Sequence, residues 1–316
     1  MRTVAVVPCH NRRALLLECL GALAAQSRPL DEVLVIDNAS HDGSGDAARE
    51  LPRVRVVRLD VNTGSAGAYS RGIADAAATG ADWIWLLDDD AEPEPDALER
   101  LLASSAAAEP GTVALCGTVL GPDGRVDVLH RGLIGRLMRA LPEAAYRPGT
   151  APRVDYSSFT GMLVRGEAAR AVDPPRADFF IWGDDVEYSV RLGKLGAIRL
   201  VPESRVLHKA PMGDAATRRS RFWNRVLGVH YGSAPLEEFW KNLLLIRNFT
   251  WTRYRHGDPP RGTVAYIAGA YAVKSLLYDD RPLRRLPWIV RAAVRGWRDQ
   301  PLGITAERWA ELCRRP

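Results

Sequence analysis

Three consecutive carboxylates, Asp88, Asp89 and Asp90, follow the apolar run Trp83-Ile84-Trp85-Leu86-Leu87. The run is short and aromatic-rich, as a buried β-strand is. Residues two apart on a strand point the same way, so the spacing predicts that Asp88 and Asp90 project together. Two such oxygen ligands suit a hard divalent ion, Mg²⁺ or Mn²⁺, which takes one or two carboxylates together with substrate phosphates. The implied chemistry is a metal-bound diphosphate at a sheet edge. The competing reading is a solvated acidic turn ahead of a helix that opens near Pro95.

The elements around the triplet alternate. Strand patterns fall at Thr3-Val7, Val33-Ile36, Val54-Leu59, Trp83-Leu87 and Val113-Val119, with helical patterns at Ala14-Gln26, Asp46-Leu51, Ala66-Thr79 and Pro95-Ala108. Alternation of this kind predicts an α/β fold with a parallel sheet covered on both faces. Such sheets bind ligands at the carboxyl ends of their strands. Polar residues cluster at those ends: Pro8-Cys9-His10-Asn11-Arg12, Asp37-Asn38 and Asp88-Asp90. The glycine-rich dinucleotide fingerprint and the P-loop are both missing after the first strand, so a bound nucleotide would be gripped by side chains and metal.

From Gly121 to Pro152 the pattern breaks into loop and short strand. A strand is expected at Ser157-Val164, a helix over Asp184-Leu195 stopped by Gly196, and a short strand at Ile198-Val201. Helical segments separated by Gly and Pro fill the chain from Pro235 onward.

In composition, 316 residues with 47% hydrophobic content allow one large domain or two smaller ones. The formal charge of +5 is uneven, with Arg and Lys crowding the region after Thr217. A basic part of this kind suits an anionic membrane surface or a phosphate-bearing substrate; without an aromatic-interleaved motif, nucleic acid is not expected. Cys9, Cys19, Cys116 and Cys313 show no metal or redox spacing. They read as reduced thiols of a cytoplasmic protein, and the N-terminus carries no signal-peptide pattern. No apolar run reaches the roughly 18 residues of a membrane span.

Taken in order, these motifs resemble the family 2 glycosyltransferases of GT-A fold, over most of the first 210 residues. Val35-Ile36-Asp37-Asn38-Ala39-Ser40 with Asp42-Gly43 is similar to the family's second strand and loop. Asn62-Thr63-Gly64-Ser65-Ala66-Gly67 is similar to its asparagine-and-glycine segment. Asp88-Asp89-Asp90 looks like its DxD motif, and Trp182-Gly183-Asp184-Asp185-Val186-Glu187-Tyr188 with Arg191 like the acidic motif that carries its catalytic base. Ala81-Asp82-Trp83-Ile84-Trp85, Phe179-Phe180-Ile181 and Arg247-Asn248 further resemble the galactofuranosyltransferases of actinobacterial cell-wall assembly.

The resemblance implies a mixed, mainly parallel sheet flanked by helices. The GT-A catalytic domain would span residues 1–215, with a nucleotide half (1–120) and an acceptor half (121–215), ahead of a helical basic region (216–316). It implies a metal-dependent inverting enzyme moving galactofuranose from UDP-galactofuranose to a glycan or polyprenyl-linked hydroxyl. The alternatives are a dTDP-rhamnose donor or a natural-product acceptor on the same fold, or a non-catalytic sugar-nucleotide-binding scaffold.

The implied residue roles follow the motifs. Asp88, Asp90 and His208 would hold Mn²⁺ or Mg²⁺. Pro8, His10, Asn11, Arg12, Asp37, Asn62, Gly67, Asp88 and Asp89 would line the nucleotide-sugar pocket, with Trp182 stacking on a sugar face. Asp185 would be the base and Asp184 would bind an acceptor hydroxyl, with exchange between the two left open. Asp37 also fits an Asx turn, and the acidic pair also suits a helix N-terminus. The Arg/Trp-rich segment Pro282-Arg298 and the apolar stretch Val264-Val273 suit a helix lying in a membrane interface, so a peripheral position on the inner membrane face is expected. A packed helical subdomain with a solvated basic face is the competing reading.

Overall fold

Side-chain alternation along two strands sets the architecture. In the computed structural model, β1 (Thr3–Cys9) sends Val4 and Val6 into one apolar core and Ala5, Val7 and Cys9 into another. β4 (Trp83–Leu86) divides in the same way, Ile84 and Leu86 to the first core and Trp83 and Trp85 to the second. Strands buried on both faces belong in the middle of a sheet with helices on either side. The structure describes residues 1–209, 222, 233, 235–257 and 259–314.

Four strands lie parallel in the order β3 (Val54–Arg58), β2 (Glu32–Asp37), β1, β4. β11 (Met162–Arg165) then runs antiparallel between β4 and β6 (Thr112–Leu120). β6 pairs in parallel with β12 (Ala197–His208), whose far side takes β5 (Ala91–Pro93) and β9 (Arg153–Val154), both antiparallel. The sheet is therefore mixed and mainly parallel. A second sheet is built from β7 (Arg131–Ile134), β8 (Met138–Ala140) and β10 (Tyr156–Ser157).

α1 (Arg13–Ala24), α2 (Ser44–Arg49), α4 (Ala97–Ala103) and α5 (Ser105–Ala108) cover one face, contributing Leu16, Leu20, Leu23, Ala48, Leu98, Leu101 and Ala106 to its core. α3 (Gly64–Ala78), α6 (Gly166–Ala171) and α7 (Asp184–Leu195) cover the other with Tyr69, Ile73, Ala168, Tyr188 and Leu192. α3 sits close on β1 because Gly72 has no side chain; a Cβ there would lie 2.4 Å from Val6 Cγ1. That close seat carries Tyr69 to the carboxyl end of β4.

Three elements differ from the sequence expectation. The helix expected over Pro95-Ala108 is two helices broken at Ser104, whose extended backbone (ψ 148°) and hydroxyl cap the second. The strand expected at Ser157-Val164 is β10 and β11, in different sheets and joined through Ser158-Gly161. The short strand at Ile198-Val201 runs on to His208, bending between Val201 and Arg205 so that its second half pairs with β5. Period-2 patterning marks strands but not the register shifts that split or extend them.

The chain divides into two compact units: Met1–Phe180 with Asp184–Met212, and Ile181–Gly183 with Gly213–Pro316. The expected boundary at 215/216 and the basic residues that directly follow Thr217 lie outside the described residues. Within the second unit are α8 (Phe239–His256), α9 (Thr263–Tyr278), α10 (Pro282–Trp297) and α11 (Ala306–Arg314). α10 crosses α8 closely at Gly296, where a Cβ would meet the Arg247 carbonyl oxygen at 2.2 Å. Arg285 is fully buried over the Phe239 ring and ion-paired with Asp279 and Asp280. No helix among the described residues is long and apolar enough to cross a membrane.

Candidate active site

β4 ends at Leu86, so the triplet lies past the strand, with Asp89 and Asp90 in a turn. Strand alternation is therefore not what pairs Asp88 with Asp90. The turn and the next strand do it. β5 pairs with the end of β12, placing Ala91 opposite His208, and the Lys209 N–H donates to the Asp90 carbonyl at 3.0 Å. His208 Nε2 lies 3.1 Å from Asp90 Oδ1 and 4.0 Å from Asp88 Oδ2. Ligand atoms of Asp88, Asp90 and His208 all fall within 4.8 Å of one another. Two carboxylates and an imidazole at this separation fit a divalent cation.

Each acid is held separately. Tyr69 donates its hydroxyl to Asp88 Oδ1 at 2.9 Å, and the Thr160 hydroxyl donates to Oδ2. Thr160 is fixed in turn by Arg131, a fully buried guanidinium that donates to the carbonyls of Thr160 (2.6 Å), Gly117 and His130 and to Ser158. Arg12 donates to Asp89 Oδ1 (3.1 Å) and Asp90 Oδ2 (2.8 Å).

These partners separate the two acids in protonation. Burial, and the charges of Asp90 and Asp88, push the Asp89 carboxyl up to about 7 although Arg12 pulls it down. Burial also works to raise Asp90, but the hydrogen bond and charge of His208, with Arg12, outweigh it and leave Asp90 below the usual carboxylate range. Burial lowers His208, yet Asp90 and Asp88 raise it overall. His130, packed edge-on against the His208 ring, is driven well below the ordinary histidine value by burial and by Arg131.

At the other strand ends the polar residues bind one another. Cys9 pairs with Asp37 across β1 and β2. Pro8 is the partly exposed residue just before it. Asp37 is buried, with Oδ1 accepting from the N–H of Ser40 (2.8 Å), three residues on rather than the two of an Asx turn, and Oδ2 3.4 Å from Arg58. Asn38 ties this end to the next loop, bonding Asn62 Oδ1, the Gly64 carbonyl and the Thr63 N–H. His10 Nδ1 meets the Asn38 carbonyl at 2.8 Å, and Asn11, at φ 53°, accepts from the His41 N–H (2.7 Å). Gly67 gives room to Thr63, whose Cβ would lie 2.4 Å from a Cβ at that glycine.

The second acidic pair opens α7. Asp184 is buried, and burial together with the Asp185 charge raises its carboxyl well above the ordinary range; Asp88 adds to the shift. Asp185 is half-buried and accepts from the Val186 N–H at 2.7 Å. Glu187, one turn on, is committed to a bidentate pair with Arg191 (2.6 and 2.7 Å), which also reaches the Pro174 carbonyl. Before the pair, Phe180 and Trp182 both take φ 62°, a region costly for non-glycine residues that is found at functional sites. The Phe180 carbonyl accepts from Ala66 at the start of α3 (3.1 Å).

Residues 4–168 match the model of the Glycosyl transferase family 2. The chain belongs to that family. It is 32% identical over 201 residues to the galactofuranosyltransferase GlfT1 of Mycolicibacterium smegmatis, covering 61% of this chain and 65% of that protein. Over 288 residues it is 30% identical to the N-acetylglucosaminyl-diphospho-decaprenol L-rhamnosyltransferase of Mycobacterium tuberculosis, covering 83% and 87%. The chain thus spans just under two thirds of the GlfT1 relatives. Among solved structures, GalNAc-T7 with UDP, GalNAc and Mn²⁺ superposes with a TM-score of 0.61 at 16% identity, over 90% of this chain and 53% of that one. That likeness concerns the fold, which is GT-A.

In this family 2 glycosyltransferase, all the candidate metal, nucleotide-sugar and catalytic residues named from the sequence except Trp182 belong to the first unit. Trp182 lies in the second, where Asn248 of α8 donates to its carbonyl at 2.8 Å. Tyr69, Thr160, Arg131 and His130 carry no motif that marks them in the sequence. Tyr69 reads as one more apolar position of α3 and Thr160 as one more position of an expected strand, while His130 and Arg131 fall in the stretch from Gly121 to Pro152 where the pattern breaks up. Arg12, expected near a phosphate, rests on Asp89 and Asp90.

Proposed function

We propose that this enzyme transfers galactofuranose from UDP-galactofuranose, with inversion, to a hydroxyl of a glycan or polyprenyl-linked acceptor. The observation that carries the reading is the convergence of Asp88, Asp90 and His208 at the edge of a GT-A sheet. These residues would hold the cation, with the single imidazole tilting the set toward Mn²⁺ over Mg²⁺. When bound, the cation neutralises the donor diphosphate and the leaving UDP. Arg12, shared between Asp89 and Asp90, is within reach to turn its planar fork to a phosphate. Pro8, His10, Asn11, Asp37, Asn62 and Gly67 would frame the nucleotide.

Asp185 is the better base of the acidic pair. A base must be a carboxylate at working pH and within reach of the acceptor hydroxyl. Burial and the Asp185 charge raise the Asp184 carboxyl above the ordinary range, which makes it the weaker candidate for the base and the readier of the two to donate a hydrogen bond to a sugar hydroxyl. Asp185 is the more accessible of the two. The GlfT1 relatives support the galactofuranose donor. The rhamnosyltransferase match covers more of the chain and keeps dTDP-rhamnose as the second reading.

A peripheral membrane position accompanies a lipid-linked acceptor. On α10, Leu283, Val290 and Trp297 recur every seven residues and are 74%, 52% and 52% exposed. Arg284, Arg291 and Arg298 follow each of them by one position, and no acidic residue interrupts 281–298. The test of the whole reading is UDP release from UDP-galactofuranose with Mn²⁺, run beside dTDP-rhamnose. Turnover of neither donor, with or without a polyprenyl-linked glycan, would overturn it.

A further inference from the structure

The break between β10 and β11 delivers a side chain to the acidic cluster. The Met162 N–H donates to the Phe159 carbonyl (3.0 Å), closing a tight turn in which Gly161 takes φ 75°, a conformation glycine adopts readily. The turn is tied to the main sheet on two sides. The Gly161 N–H donates to the Leu86 carbonyl at the end of β4 (2.9 Å), and the Gly161 carbonyl accepts from the Gly117 N–H of β6 (3.1 Å). So held, the turn brings the Thr160 hydroxyl onto Asp88 Oδ2, two residues past the end of β4.

A buried charge fixes the same turn. Arg131 is fully buried, and its donors go to oxygens of the turn and of the chain beside it. Nε reaches the Gly117 carbonyl (3.1 Å), Nη1 the carbonyls of His130 (2.9 Å) and Ser158 (3.3 Å), and Nη2 the Thr160 carbonyl (2.6 Å). A buried charge is costly unless it is hydrogen-bonded, and the bonds that offset the cost here clamp three separate segments around Thr160. Phe159, next in the turn, packs its ring on that of Tyr69 with centroids 4.3 Å apart. Tyr69 comes from α3 and donates to the other oxygen of Asp88, Oδ1, at 2.9 Å.

We propose that Thr160 and Tyr69 are the positioning residues of Asp88, one hydroxyl on each carboxylate oxygen, so that Oδ1 is turned to the protein and Oδ2 presents its remaining lone pair to the cation. An ionised carboxylate only accepts, with about two lone-pair sites on each oxygen, so a hydroxyl on Oδ2 leaves room for a metal there. Oδ2 is also the oxygen that faces His208 Nε2, at 4.0 Å. Asp88 needs this support more than Asp90 does. Asp90 is buried and held by Arg12 at 2.8 Å and His208 at 3.1 Å. The Asp88 side chain is 35% exposed, and among the described residues its nearest cationic group is His208. Without the two hydroxyls its carboxylate is free to turn about its last torsion, which has no sharp preference of its own. Carboxylates that bind metals are ordinarily hydrogen-bonded in this way. The proposal rests on the reading of Asp88, Asp90 and His208 as a cation site.

The experiment uses the full chain and Mn²⁺ alone, with binding read by the loss of the free-ion electron paramagnetic resonance signal and folding by circular dichroism. Thr160→Val keeps the shape of the side chain and removes its hydroxyl. Tyr69→Phe keeps the ring and removes one oxygen. Each should weaken Mn²⁺ binding about 10- to 100-fold. Thr160→Ser keeps the hydroxyl without the methyl group and should bind close to wild type. Should Thr160→Val not fold, Tyr69→Phe carries the test. Asp90→Asn is titrated alongside as the control for the site itself. Loss of binding in Asp90→Asn but wild-type binding in either Thr160→Val or Tyr69→Phe would end the positioning role and leave the cation site standing. Wild-type binding in Asp90→Asn would end both. Binding as weak in Thr160→Ser as in Thr160→Val would assign the effect to the shape of the side chain and overturn the proposal.

Discussion

Arg12 Nη1 lies 2.8 Å from Asp90 Oδ2, on the carboxylate whose other oxygen faces His208 at 3.1 Å. The same nitrogen is 3.1 Å from Asp89 Oδ1. One guanidinium thus serves as counter-ion to two of three clustered acids, and a cation at Asp88 and Asp90 would share a ligand with it.

That sharing predicts opposite effects of one substitution. Arg12→Met removes a positive charge next to the cation site, so Mn²⁺ without nucleotide should bind about fivefold more tightly, the equivalent of ~1 kcal/mol for a half-exposed pair. UDP in the presence of Mn²⁺ should bind more weakly, because the fork that would meet a phosphate is gone. Calorimetric titration of both ligands checks this. Parallel weakening of both would mean that Arg12 only holds the turn together.

Nucleotide affinity should depend on the cation. UDP titrated with Mn²⁺ and again with EDTA is expected to lose at least about tenfold in affinity, or ~1.4 kcal/mol. His208→Ala should reproduce the EDTA result in the presence of Mn²⁺. Equal UDP affinity in all three conditions would remove the cation from nucleotide binding.

Asp185→Asn should abolish transfer and spare Mn²⁺-dependent UDP binding, because the base acts on the acceptor. A positioned general base contributes roughly a hundredfold or more. Turnover near normal in Asp185→Asn together with a dead Asp184→Asn would reverse the roles within the pair.

How much of this was legible in the sequence depended on whether a signal was local. Asp88 and Asp90 could be named as a pair because they stand two apart, although the structure pairs them through a turn rather than a strand. His208 was reachable only through the family resemblance, since its partner is 118 positions away and the bend in β12 that delivers it has no pattern. Tyr69 and Thr160, which hold Asp88, were not legible at all. A tyrosine on a buried helix face looks the same whether its hydroxyl is idle or meets a carboxylate. The mixed sheet was foreseen from alternation and resemblance together, while the split of Ser157-Val164 between two sheets was not, because both halves keep strand chemistry.

Asp184 links the site to stability. Burial and Asp185 raise its pKa in the folded chain above the unfolded value. The folded state therefore holds a proton that the unfolded state has already lost between the two values. That contribution is complete below the unfolded pKa, near 4, and disappears as pH rises through the folded one. In metal-free protein, Asp184→Asn should accordingly flatten the decline of Tm at rising pH and melt above wild type at pH 8. A wild-type-like pH profile in Asp184→Asn would show that the buried carboxyl does not govern the slope.

The second unit makes its own prediction. Leu283, Val290 and Trp297 form an exposed apolar row on α10, and Arg284, Arg291 and Arg298 form a cationic row beside it. Neither α9 nor α10 reaches membrane-spanning length, both having 16 residues, so binding to a bilayer would be along its surface. Each basic residue near anionic headgroups contributes on the order of 1 kcal/mol, screened over a Debye length of about 8 Å at physiological salt. The full chain should co-sediment with anionic liposomes at low salt and separate from them at high salt. The double substitution Val290→Glu with Trp297→Glu places charge on exposed positions without touching either core. It should abolish co-sedimentation and leave Mn²⁺-dependent UDP binding unchanged. If wild type ignores anionic liposomes at low ionic strength, the two rows are a solvated face and a soluble acceptor becomes the better assignment.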